Sequence, residues 1–230
     1  MIKEKKRVTL DLLIIFILTA AALALCLGFQ DSVYCYIRNA SKPILLRTLL
    51  AAVCQFGIAG LGITVVALLK KESFRSHGLQ IKGLLPSVAL CALCFVPYTV
   101  FALVTKQASD YLPFGSVWVM KDALSSGFPV NVLSVLLIAV AWGFFEGFNY
   151  VFISDKINKR FPSKNRWLNW GAIVGAVTCL LIHGMVGVSL TGMIEMLTIA
   201  FIIYGMLIVR DYTGNAWGCV LIFIFLWNAF

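Results

Sequence analysis

A carboxyl stands in the middle of an apolar stretch: Glu146 lies in WGFFEGFNYVF, residues 142–152. An ionisable side chain at bilayer depth costs roughly 2.5–3.5 kcal/mol to insert, which makes it a functional candidate by default. Asn149 and Tyr150 follow at i+3 and i+4, so they share one helical face with Glu146, and Ser154 extends that face. A second ionisable group, His183, closes another apolar run in which Ala172, Ala176, Cys179 and His183 line up on one side. Two such groups offset each other's desolvation only by pairing. Asn228, near the end of the last run, adds an amide. A base, an imidazole and amide donors suit water activation and oxyanion stabilisation. One carboxylate and one imidazole are too few for a zinc site, which takes three or four protein ligands, so neither metal nor cofactor is expected.

The elements that must hold these residues are apolar. The chain has 230 residues, 61% hydrophobic and 13% charged, with a mean hydropathy of +0.94. That excludes a water-soluble domain with a polar shell. Apolar runs at 8–29, 43–69, 83–104, 132–153, 170–187, 189–209 and 216–230, set against about 20 residues per spanning helix, predict an all-α membrane protein. The expected architecture is a polytopic bundle of about seven transmembrane helices, the last one short. No linker divides it, so residues 1–130 (three helices and an outer interfacial connector) and 131–230 (four helices) form one bundle. Glu146, Asn149, Tyr150, His183, Glu195 and Asn228 all fall in the second part. The first part, with little beyond Asp11 and Gln55, reads as scaffold. The connector at 105–131 mixes Tyr111, Phe114 and Trp118 with Lys121 and Asp122, a composition suited to the interface, as a simple connection or a lid.

Charge gives the orientation. Fourteen of the 19 Lys and Arg residues precede the first run or follow the second, fourth and sixth. The positive-inside rule then places the N-terminus in the cytoplasm, in a cell membrane. The net charge of +9 is accounted for by topology and anionic lipid headgroups, and nothing in it asks for nucleic acid. The first run exceeds 20 residues, and Leu25 precedes Cys26 where a lipoprotein box needs a small residue, so the run reads as an uncleaved helix. Cys91-x-x-Cys94 sits in an apolar run and reads as helix packing. Asn39-Ala40-Ser41 forms a glycosylation sequon on the outer side. His77, in a basic loop, is expected to be solvated.

Gly143 and Gly147 flank the glutamate with the spacing that lets another helix approach, and Gly171 and Gly175 repeat it in the next run. Close contact between the fourth and fifth helices, with Glu146 meeting His183 at the crossing, is the expected consequence. Depth opposes it: at 1.5 Å per residue, Glu146 lies roughly 12 Å from the cytoplasmic end of its run, and His183 and Asn228 about 18–20 Å from theirs.

The second half resembles the CAAX-protease and bacteriocin-processing (CPBP, or Abi) family of intramembrane proteases. Its motifs are Glu-Glu-x-x-x-Arg on one helix, Phe-x-x-x-His on the next and His-x-x-x-Asn/Asp on the last. The resemblance covers about residues 131–230. FFEGFNYVFISDKINKRFP holds the first position at Glu146, CLLIHG the second at His183, and FIFLWNAF offers Asn228 for the third. The loop SHGLQIKGLL is similar to a connector common in the family. This chain has one glutamate where the motif has two. It also lacks the following arginine, has Cys179 in place of the phenylalanine, and has no histidine in the last run. The resemblance implies a glutamate-type intramembrane endopeptidase in which Glu146 activates water and His183 holds that water or the developing oxyanion; Asn149, Asn228 and Tyr150 are the nearby groups able to donate to that oxyanion. Its partners would be membrane lipids and a membrane-associated peptide or protein substrate. Two other readings stay open: a proton-coupled transporter using Glu146, Glu195 and His183, and an inactive family member that binds a membrane partner.

Overall fold

The computed structural model describes residues 2–107, 110–184 and 188–229, so the end of the run at 170–187, two residues of the long connector and the last residue lie outside it. Among the described residues there are helices and no strands. Each of the seven apolar runs is helical, as α1 (Ile2–Gly28), α3 and α4 (Ile44–Ala59 and Leu61–Lys70), α5 (Leu84–Val104), α7 and α8 (Val130–Ile138 and Glu146–Arg160, joined by a π-helical segment), α9 (Trp170–Ile182), α10 (Leu190–Thr213) and α11 (Trp217–Ile222). Short α2 (Gln30–Arg38) and α6 (Met120–Ser125) lie between them.

Length and apolarity make four of these long enough to cross a membrane, namely Glu4–Gly28, Leu84–Val104, Val130–Arg160 and Leu190–Thr213. The α3–α4 pair, bent by 59°, makes a fifth if it counts as one span. The remaining two runs form short apolar helices, Trp170–Ile182 and Trp217–Trp227. The outer faces of α1, α5 and α10 expose Leu13, Ile17, Leu93, Val100, Leu197 and Phe201. Side chains of this kind, laid along long helices, need a hydrocarbon solvent. The protein is membrane-embedded.

The core is built from α5, α8, α9, α10 and α11, around buried Phe95, Phe148, Phe152, Ile203, Met206 and Phe223. A smaller cluster at the opposite end joins Ile37, Phe114, Val119, Met120 and Ile138, which fastens the connector onto α2, α3 and α7. Close approaches set the helix crossings. A Cβ on Gly171 would collide with the Ser154 carbonyl oxygen, so α9 meets α8 backbone to backbone there. Gly143 and Gly147 behave differently from the expectation: they admit Ile224, Cys219 and Val220, so that glycine pair serves α11 and its extension, and α9 approaches through Gly171.

The charged end of the bundle corrects the expectation for His77. The residue is 1% exposed, and its ring packs at a tilt against Phe152 with centroids 4.3 Å apart. Nδ1 lies 2.7 Å from Asp155 Oδ2, and Nε2 lies 3.3 Å from Glu72 Oε2. Arg210 grips Asp155 with two nitrogens, at 2.5 Å and 2.6 Å. Lys156, also buried, reaches Asp11 Oδ2 at 2.9 Å and Glu72 Oε1 at 2.8 Å. Thus α1, the loop after α4, α8 and α10 are tied together at the end where the basic segments gather. Glu72 keeps its charge more readily than an ordinary glutamate: burial opposes ionisation, but the Lys156 and His77 contacts outweigh it and lower its pKa.

Candidate functional site

The residues that could do chemistry sit where regular helix gives way. A π-helical segment, Ala139–Phe145, delivers Glu146 at the start of α8, and another, Phe223–Trp227, delivers Asn228 after α11. Such segments, bonded from i to i+5, are rare and recur at functional sites. His183 follows the last turn of α9 as its C-terminal cap.

These three residues line one cavity of about 450 Å³, together with Gln55, Ser116 and apolar side chains from α1, α2, α3 and the connector. Glu146 is 5% exposed. Its Oε2 accepts a 2.7 Å hydrogen bond from Gln55 Nε2, and its Oε1 lies 3.6 Å from His183 Nε2. The His183 side chain is 33% exposed, with its ring edge-on to Trp227 at 5.9 Å. Asn228 is fixed from the connector: the Ser116 hydroxyl donates to Asn228 Oδ1 at 3.2 Å, and the Ser116 amide donates to the Asn228 carbonyl at 3.1 Å. That leaves Asn228 Nδ2 buried with no hydrogen-bond partner. A buried donor without a partner costs about 1–3 kcal/mol, so the site holds a hydrogen-bonding group in reserve.

The depth conflict resolves through a helix boundary. The apolar run containing Glu146 ends at residue 153, but α8 continues to Arg160. The seven added residues lengthen the helix by about 10 Å, which lets Glu146 reach the level of His183. Those residues stay helical because Ser154, Asp155 and Lys156 are buried in the charged network and against α9.

Two other candidates lie elsewhere. Tyr150 is buried with its ring 5.6 Å from that of Phe223, and Asn149 is half-buried; neither lines the cavity. Gln55 and Ser116 complete the site without having been singled out. Gln55 carried a signal, as the one amide in the run at 43–69; Ser116 carried none. The connector acts as a cover, with Ser116 to Val119 walling the cavity and the Leu112 amide donating to the Ala229 carbonyl at 3.1 Å. No group of three or more His, Cys, Asp or Glu side chains able to hold a metal ion occurs among the described residues.

Comparison with protein-family models, curated proteins and solved structures finds no match for this chain.

Proposed function

We propose that this chain is an intramembrane endopeptidase of the CPBP type that uses Glu146 to activate water against a peptide bond of a membrane-associated substrate. The observation carrying the proposal is the 3.6 Å approach of Glu146 Oε1 to His183 Nε2 in a cavity that also holds the unpartnered Asn228 amide. In this reading all seven apolar segments sit in the cell membrane, with the N-terminus in the cytoplasm.

A 3.6 Å separation is too long for a direct hydrogen bond and lets one water sit about 2.8 Å from both atoms. Such a water donates to the carboxylate and accepts from the ring N–H. Glu146 takes its proton as the water oxygen attacks the carbonyl carbon, and the carbonyl electron pair moves onto oxygen. Asn228 Nδ2 and His183 donate to that oxyanion in a poorly solvated place, where each donor counts for more than in water. Collapse breaks the C–N bond, and the departing amine takes the proton from Glu146. Gln55 holds the second carboxylate oxygen throughout. The apolar lining from Leu23, Leu27, Ile37 and Val117 suits an apolar substrate segment.

The test is reconstitution into liposomes with a library of membrane-associated peptides, followed by mass-spectrometric detection of new amino termini. Cleavage by wild type, lost in Glu146→Gln, is the expected result. Undiminished cleavage by Glu146→Gln would overturn the reading.

A further inference from the structure

A second cavity, of about 730 Å³, opens at the charged end of the bundle and shares no residue with the first. It lies between the C-terminal ends of α8 and α10 and is walled by the loop that joins α8 to α9. Asn158, on its wall, stands twelve residues beyond Glu146 on α8, about 18 Å along the helix. The cavity is amphipathic. Leu90, Leu168, Ile208 and Val209 form an apolar part, while Asn165 and Arg166 stand at a polar part. Trp167 and Tyr212 line it and are largely exposed, the placement that aromatic side chains take at a headgroup layer.

Its lining holds one cation, Arg166, and one carboxylate, Asp211. Between Asp155 and Asp211 the segments around the cavity carry Lys156, Lys159, Arg160, Lys164 and Arg166. Lys156 is committed to Asp11 and Glu72, and the Arg160 Nε donates to Thr9. Lys159, Lys164 and Arg166 form no ion pair among the described residues. The one carboxylate in the cavity wall, Asp211, is already held by Arg210 at 2.9 Å and by the Asn169 amide. The cavity wall therefore presents one uncommitted cation, Arg166, above an apolar floor, with Lys164 in the same loop between the lining residues Ser163 and Asn165.

We propose that this cavity seats an anionic phospholipid, its phosphodiester at Arg166 with Lys164 nearby and its acyl chains running down past Leu90 and Ile208. A soluble phosphate would match the cations but leave the apolar floor unfilled. A zwitterionic lipid would fill the floor but carry its own cation among these. The two chemistries converge on one ligand class, a phosphodiester bearing acyl chains and net negative charge.

The test uses the purified full chain in detergent, titrated with phosphatidylglycerol or phosphatidylcholine of identical acyl chains, with bound lipid counted by native mass spectrometry. Wild type should retain one phosphatidylglycerol at least tenfold more tightly than phosphatidylcholine. The Lys164→Glu/Arg166→Glu variant should lose that preference at unchanged melting temperature, and the milder Arg166→Gln should lose part of it. Equal retention of the two lipids, or a preference that survives charge reversal, would overturn the proposal. So would displacement of the bound lipid by glycerol phosphate at comparable concentration, because the acyl chains would then contribute nothing. Peptidase assays do not enter, so this site stands or falls separately from Glu146.

Discussion

Gln55 Nε2 donates to Glu146 Oε2 across 2.7 Å, so an amide on α3 supports the carboxylate on α8. Occupying Oε2 leaves Oε1 as the oxygen that faces His183, so the amide sets the orientation of the carboxylate. Gln55→Leu removes the donor and leaves a buried carboxylate oxygen unpaired. Hydrogen bonds to charged groups are worth about 1.5–3 kcal/mol, so thermal unfolding in detergent should report a loss of that order. Gln55→Asn, too short to reach, should fall close to it.

The cavity must be wet for hydrolysis, and the protein carries its own reporters. Cys26 and Cys54 line the cavity, whereas Cys91, Cys179 and Cys219 are buried. A charged methanethiosulfonate reagent should modify Cys26 and Cys54 in the folded protein at least tenfold faster than the buried three, as read by peptide mass spectrometry. Labelling confined to the exposed Cys35 would mean that water does not reach Glu146.

Lys156 joins Asp11 and Glu72 at 2.9 and 2.8 Å with almost no solvent contact. Removing Lys156 leaves buried Asp11 with Lys70, at 3.1 Å, as its remaining cation, so the loss stays below the about 3–5 kcal/mol of a buried charge left with no partner. Lys156→Ala should destabilise by up to that amount. Lys156→Met combined with Asp11→Asn should recover much of the loss, since neither charge is then buried alone. Chemical denaturation followed by tryptophan fluorescence distinguishes the two variants.

Glu72 supplies a pH dependence. Its pKa is lowered below the ordinary value of 4.5, so the folded state binds its proton less readily than the unfolded state. The stabilisation is complete above that ordinary value and disappears as pH falls through the lower folded-state value. The difference in melting temperature between wild type and Glu72→Gln should therefore be constant from pH 7 to about 5 and shrink below about 4.5. A difference that persists unchanged at pH 3 would contradict this.

The apolar periodicity of the chain carried the helices but not their lengths. Hydropathy stops at residue 153, yet α8 runs to Arg160, because its polar last turns are paid for by partners that hydropathy cannot see. Lys156 finds Asp11 145 residues away and Glu72 84 away. For the same reason His77 looked like a solvated loop residue and is instead clamped between Asp155 and Glu72. A window of sequence cannot distinguish a charge in water from one in a buried network. The pairing of Glu146 with His183 was legible because two costly groups in neighbouring apolar runs need each other. Gln55, in the middle of α3, read as scaffold because its partner Glu146 is 91 residues away, and Ser116 escaped notice because it sits in the connector, with no periodicity to announce it. The seven runs also hid a difference in length, since α9 and the Trp217–Trp227 segment fall short of a full crossing.

The most direct measurement is a side-by-side assay of wild type, Glu146→Gln and His183→Ala in liposomes, scoring new amino termini from a membrane-associated peptide library alongside proton flux. Glutamate-driven hydrolysis predicts cleavage by wild type, a loss of at least 100-fold in each variant at unchanged melting temperature, and no flux. Equal cleavage by wild type and Glu146→Gln, or proton flux that depends on Glu146 without any cleavage, would contradict it.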